Sequence, residues 1–251
     1  MKHAVLYVCH GSRVEKAREE AVSFIKRCQK HVKADIQEIT FLELASPSIE
    51  EGFTVCVEKG ATHISVVPLL LLTAVHAKTD IPDEIQKCRD AYPAIHVKYG
   101  RPIGIHDKMV ESVIKKIEEA ISIDSSAIAV LIGRGSSDPD VRRDLDSIAA
   151  LVHSRTTLKA VKTCYLTAAS PSFTETLESV RHSDKNVIFI PYLLFTGLLM
   201  KGIEKEIQRT NNEHIKLGNY LGYDPLVEEA FLDRVYESLW AKGENYAASH
   251  D

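Results

Sequence analysis

The chain has 251 residues, 45% of them hydrophobic and 26% charged, enough for one large domain or two of roughly 120 residues, each with its own core. A formal charge of −4 excludes a broad phosphate-neutralising face, so no nucleic-acid partner is expected. Five scattered cysteines (Cys9, Cys28, Cys56, Cys88, Cys164) without a C-x-x-C pair exclude a disulfide framework and an iron–sulfur signature; with no secretory leader and no apolar run near 20 residues, a cytoplasmic protein away from membranes is expected.

The pattern opens with a strand at Ala4 to Cys9. A helix follows in which Val14, Ala17, Ala21, Ile25, Cys28 and Val32 recur at three- and four-residue spacing. Strands are predicted at Ile36 to Leu42, His63 to Val67 and Ile95 to Tyr99, with helices at Ser48 to Glu58, Ile81 to Ala91 and Asp107 to Ile121. Thr79 or Asp80 is expected to cap the helix that begins at Ile81, with Pro82 in its first turn. A polar linker, "SIDSSA" at 122–127, precedes a second set of strands at Ile128 to Ile132, Ala160 to Leu166, Val187 to Ile190 and Ile215 to Leu217. Helices intervene, and a last one is predicted from Pro225 to Trp240. Apolar strands alternating with amphipathic helices define an α/β chain with open, mainly parallel sheets flanked by helices.

The second set repeats the first. "HGSR" at 10–13 returns as "RGSS" at 134–137, and "ASPS" at 45–48 returns unchanged at 169–172, both 124 positions on. "VPLLLLT" at 67–73 matches "IPYLLFT" at 190–196, and "GRPIG" at 100–104 matches "GNYLG" at 218–222. Two similar tandem lobes are expected, at 1–122 and 123–251, with a cleft between them.

The repeat is an internal control. Residues that serve only the fold should have like partners in the sister lobe, yet His10 corresponds to Arg134, Glu43 to Thr167 and His76 to Leu199. His10 follows the first strand, Glu43 the second, and His76 lies beyond the third, so all three emerge at the carboxyl edge, where ligands bind in such sheets. Taken singly, each has an ordinary reading, Glu43 for instance as a helix-cap partner of Ser46 or Ser48. Together, two imidazoles and a carboxylate can accept protons or hold a divalent metal with positions left open. No H-E-x-x-H, G-x-G-x-x-G, Walker or G-x-S-x-G pattern is present. Arg13, Lys78, Arg101, Arg134 and Lys201 fall at strand ends or in the loops after them and are candidates to bind an anionic ligand, although Arg134 could instead pair with Asp138 or Asp140. His106 reads as a cap, and the remaining histidines, His3, His63 and His96 among them, have no supporting constellation.

In "LYVCHGSR", "FLELASPSI" and "VVPLLLLTAVHAKTDIP" the sequence resembles the class II chelatases, small cobalt and iron chelatases that act on sirohydrochlorin. The resemblance runs over nearly the whole chain and matches the family's fused two-lobed members. It implies that His10 and His76 handle the metal, that Glu43 assists, and that only the first lobe carries an active centre. It further implies a lyase that inserts Fe(II) into sirohydrochlorin, or Co(II) on the cobalamin route, with the metal as substrate and no tightly bound cofactor. An enzyme that hands over the tetrapyrrole is an expected partner. A non-catalytic two-lobed binding module is the alternative.

Overall fold

In the computed structural model, which describes residues 1–239, the chain forms two four-stranded parallel sheets. The first is ordered β2-β1-β3-β4, from β1 (His3–Cys9), β2 (Ile36–Phe41), β3 (His63–Leu69) and β4 (His96–Tyr99). The second is ordered β6-β5-β7-β8, from β5 (Ile128–Gly133), β6 (Ala160–Tyr165), β7 (Val187–Pro191) and β8 (Ile215–Leu217). Eight helices connect them among the described residues: α1 (Glu15–Gln29), α2 (Ile49–Glu58), α3 (Ile81–Ala91), α4 (Asp107–Ala120), α5 (Pro139–Ser154), α6 (Phe173–Val180), α7 (Leu198–Gln208) and α8 (Pro225–Ser238). The predicted end of the last helix at Trp240 lies outside the described residues.

The two halves repeat in detail. Ser46–Pro47 and Ser170–Pro171 are both cis, and Leu44 and Ala168 both take positive φ, 60° and 52°. Ser48 with Glu51 and Ser172 with Glu175 form matching capping boxes on α2 and α6. Both β3 and β7 run one or two residues past their expected ends and through a proline. Val66 accepts from Gly100 on the β4 side, and Pro68, two residues on, faces the same side after β4 has ended at Tyr99. The missing N–H therefore costs no ladder bond.

The fourth helix of each half crosses to the other. Helix α4 packs on α8 and β7, whereas α8 packs on α4 and β3. Ser65 Oγ donates to the Ser238 carbonyl at 2.7 Å, and Arg234 Nε donates to the Ile103 carbonyl at 2.8 Å. One continuous core joins these helices with α1, α5 and the facing sides of both sheets, while two smaller cores lie under α2–α3 and α6–α7. The segment expected as a linker is a packed turn: Ile121 and Ala127 belong to the shared core, and Asp124 accepts from the N–H groups of Ser126 and Ala127. The repeat is tandem in sequence but interlocked in space.

The strand register also brings together histidines left unassigned by sequence. His3 and His96 flank His63 at the strand starts, with ring centroids 5.4 and 4.6 Å away. Partial burial, then His96, His3 and the N-terminal amine, push the His63 imidazole below its ordinary value of 6.5. Protonation is thus harder in the folded than in the unfolded chain, and its penalty on stability appears as pH falls through 6.5. A thermal melt at about pH 5.5 should give a lower Tm than one at about pH 7.5, and His63→Asn should narrow that gap.

Candidate active site

The exits of β1 and β2 are zipped together one step beyond the sheet. The Leu42 N–H donates to the Cys9 carbonyl at 2.8 Å and the Glu43 N–H to the His10 carbonyl at 3.1 Å. Gly11 has φ +95°, and a Cβ there would lie 1.7 Å from the Glu43 carbonyl oxygen. Only glycine permits that approach. Because Ser48 is capped by Glu51, the Glu43 side chain is released from any capping role.

The run of leucines after β3 carries the chain from the core to the rim. Leu69 is buried, Leu70 to Leu72 are half-buried, and the carbonyls of Leu70 and Leu71 accept from Ile103 and Gly104 at 3.0 and 2.8 Å. A π-helical turn, His76–Asp80, then runs without interruption into α3. The predicted cap is therefore corrected: Asp80 is itself helical, with φ −63° and ψ −47°, and its side chain makes no capping bond. It binds His76 instead, with Nδ1 and Oδ2 2.6 Å apart.

The two imidazoles meet edge to face at 4.7 Å between centroids. Ligand atoms of His10, Glu43 and His76, one from each, all lie within 4.8 Å of one another, and no other such group of three is found among the described residues. Their side chains are 24%, 46% and 33% exposed, so the trio is open to solvent at the rim and not sealed inside. The sheet order explains the convergence. Connections leave β1 and β3 toward opposite edges, and His10 and His76 flank the crevice that this reversal opens.

Arg134, which occupies the His10 position of the second lobe, reaches across so that its Nη1 lies 3.0 Å from His10 Nε2. A guanidinium can only donate, so Nε2 is the accepting nitrogen and the proton of the neutral ring sits on Nδ1, which lies 3.5 Å from Glu43 Oε1. Burial, then Arg134 and His76, lower the affinity of His10 for a second proton, against an opposing pull from Glu43 and a backbone bond to Gly11. His10 is thereby kept in the neutral form that can take a metal or a proton.

The five predicted cations separate. Arg13 and Arg134 line a cleft of about 840 Å³ between the carboxyl edges of the two sheets. Lys78 is held by Asp138 and Asp140 at 2.7 and 2.6 Å, bridging the lobes, so these aspartates bind Lys78 and leave Arg134 to His10. Arg101 makes a two-pronged bond to Glu237 at 2.8 and 2.9 Å, which holds that carboxyl down to about 2, and so fastens the exchanged helix α8. Lys201 is exposed on α7 and does not line the cleft. Arg18 does line it, with Nη1 on the Ser12 carbonyl at 2.8 Å, and was missed because its helical position carries no motif. His106 caps α4 as expected, its Nδ1 accepting from the Lys108 N–H at 3.2 Å. The apolar part of the wall comes from Leu70 to Leu72 and from Tyr192 to Leu199, with Leu198 largely exposed at the mouth.

This arrangement, two interlocked parallel α/β lobes with a histidine–carboxylate centre on one lip of the cleft, is that of a tetrapyrrole-chelatase fold. The CbiX family model matches residues 4–120 and again 129–238, and the chain belongs to that family. It is 49% identical to the sirohydrochlorin ferrochelatase of Bacillus subtilis over 95% of this chain and 92% of that one. To the sirohydrochlorin cobaltochelatase of Priestia megaterium it is 34% identical, over 94% of this chain and 80% of that one. Among solved structures, SirB from Bacillus subtilis with Fe3+ superposes with a TM-score of 0.90 at 48% identity, covering 95% of this chain and 96% of the other. No helix among the described residues is long and apolar enough to cross a membrane.

Proposed function

We propose that the protein inserts Fe(II) into sirohydrochlorin to form sirohaem, with release of two protons, at a single centre made by His10, Glu43 and His76. The observation that carries this reading is the convergence of three ligand atoms from the exits of β1, β2 and β3 within 4.8 Å at the open cleft. The ferrochelatase relative supports iron, and its higher identity favours iron over cobalt.

Metallation exchanges two pyrrole N–H protons for one divalent ion. His76, and His10 once Arg134 has turned from it to the substrate, hold the incoming ion while it sheds water, and the remaining open positions accept the ring nitrogens. Glu43, nearly half exposed, takes the departing protons and returns them to solvent. Arg13 and Arg134 receive substrate carboxylates, and the leucine and Tyr192–Leu199 walls lie against the flat macrocycle. Arriving carboxylates compete with His10 for Arg134, so binding of the tetrapyrrole uncovers the nitrogen that the arginine occupies. The sister lobe, with Arg134, Thr167 and Leu199 in place of the three ligands, recognises substrate and carries out no insertion.

The direct test is absorbance-monitored metallation of sirohydrochlorin with Fe(II) and with Co(II) in parallel. A rate well above the protein-free reaction is expected for both, with iron favoured. Stoichiometric tetrapyrrole binding without acceleration would replace the enzyme by a binding module.

A further inference from the structure

Asp80 has a part in this site that its sequence position conceals. Its carboxylate contacts the ring of His76, yet as the residue before α3 it does none of the capping that an aspartate there ordinarily does. The local helix makes the contact possible: in the π-helical turn the two residues are four apart, and the Tyr99 hydroxyl, donating to the Ala77 carbonyl at 3.0 Å, fastens the turn to β4.

The internal repeat provides a second, independent observation. At the spacing that sets His76 against Leu199, Asp80 corresponds to Ile203, and Ile203 is buried in the outer core under α6–α7. The sister segment is the regular α-helix α7 and has no π turn. Histidine and aspartate are therefore present together in one lobe and replaced together by apolar residues in the other. A carboxylate kept only for the fold would have no reason to follow the histidine.

We infer that Asp80 is a positioning residue, which holds the Nδ1–H of His76 and so fixes the ring with its Nε2 lone pair turned to the incoming metal. The inference rests on the metal-handling role of His76 proposed above. An imidazole with one nitrogen anchored to a carboxylate cannot flip or present the wrong tautomer, and removal of such an anchor typically weakens metal binding by about 10–100-fold.

The test uses the full chain and Co(II) alone as probe, followed by calorimetry and by the visible absorption band of the bound ion. Asp80→Ala should raise the Kd for Co(II) by about 10–100-fold, and the KM for metal in turnover should rise with it. The KM for sirohydrochlorin should stay within about twofold, because Asp80 does not line the cleft that Arg13 and Arg134 line. Asp80→Asn keeps an acceptor oxygen for the Nδ1–H and should recover most of the affinity, which a loss of folding would not allow. Co(II) affinity in Asp80→Ala equal to the parent, or Asp80→Asn no better than Asp80→Ala, would overturn the inference. Tight Co(II) binding without metallation by the parent chain would sink the chelatase reading while leaving the Asp80–His76 pair standing.

Discussion

Replacing His10 or His76 with alanine is expected to lower metallation turnover by about 10²–10⁴-fold, the range spanned by loss of a positioned acid–base or ligand group. Both imidazoles stand partly exposed at the rim, so the melting temperature of each variant should stay within a few degrees of the parent. The two losses should differ in kind. His76→Ala removes the proposed ligand, whose second nitrogen is tied to Asp80, and should appear mainly in the dependence on metal. His10→Ala also frees the Arg134 guanidinium, so tetrapyrrole binding should hold or tighten while turnover falls. The second lobe offers Arg134, Thr167 and Leu199 at the matching positions and cannot compensate for either. Steady-state rates with each substrate varied in turn decide the matter, and a parental rate in either variant would remove that histidine from the site.

Much of this architecture is legible in the sequence because it depends on local patterns. Parallel strands buried on both faces read as apolar runs, and β1, β3, β5 and β7 fall within two residues of their expected bounds. The convergence of His10, Glu43 and His76 follows from one rule about strand ends, applied three times. What the sequence hides depends on partners far along the chain. Lys78 meets aspartates about 60 residues away and Arg101 a glutamate 136 away, and no periodic pattern encodes such pairs. The exchange of α4 and α8 is hidden for the same reason: an amphipathic helix shows that it has a buried face, not which sheet will cover it. The π turn escapes because one extra residue per turn leaves no compositional mark, so Asp80 reads as a cap although its carboxylate contacts His76.

The two glycines after β1 and β5 allow the same substitution to be made in the lobe that carries the proposed centre and in its sister. Gly11→Ala would set a Cβ 1.7 Å from the Glu43 carbonyl oxygen, and Gly135→Ala would set one 1.8 Å from that of Thr167, each at a φ above +90° that alanine resists. Strained backbone and forced separation of the zipped loops together should destabilise either variant by on the order of 3 kcal/mol. For a chain this size that is a fall in Tm of about 10 °C. The catalytic consequences should diverge. In Gly11→Ala the displaced backbone carries His10 on one side and Glu43 on the other, so kcat should collapse well below what the loss of stability explains, even at temperatures where the variant is fully folded. In Gly135→Ala the displaced groups are Arg134 and Thr167, and the expected loss is a raised KM for the tetrapyrrole with kcat largely retained. Equal loss of kcat in both variants would mean that the chemistry is shared between the lobes. Parental stability in both would mean that the paired loops can part without cost, and the geometry that joins His10 to Glu43 would no longer account for the site.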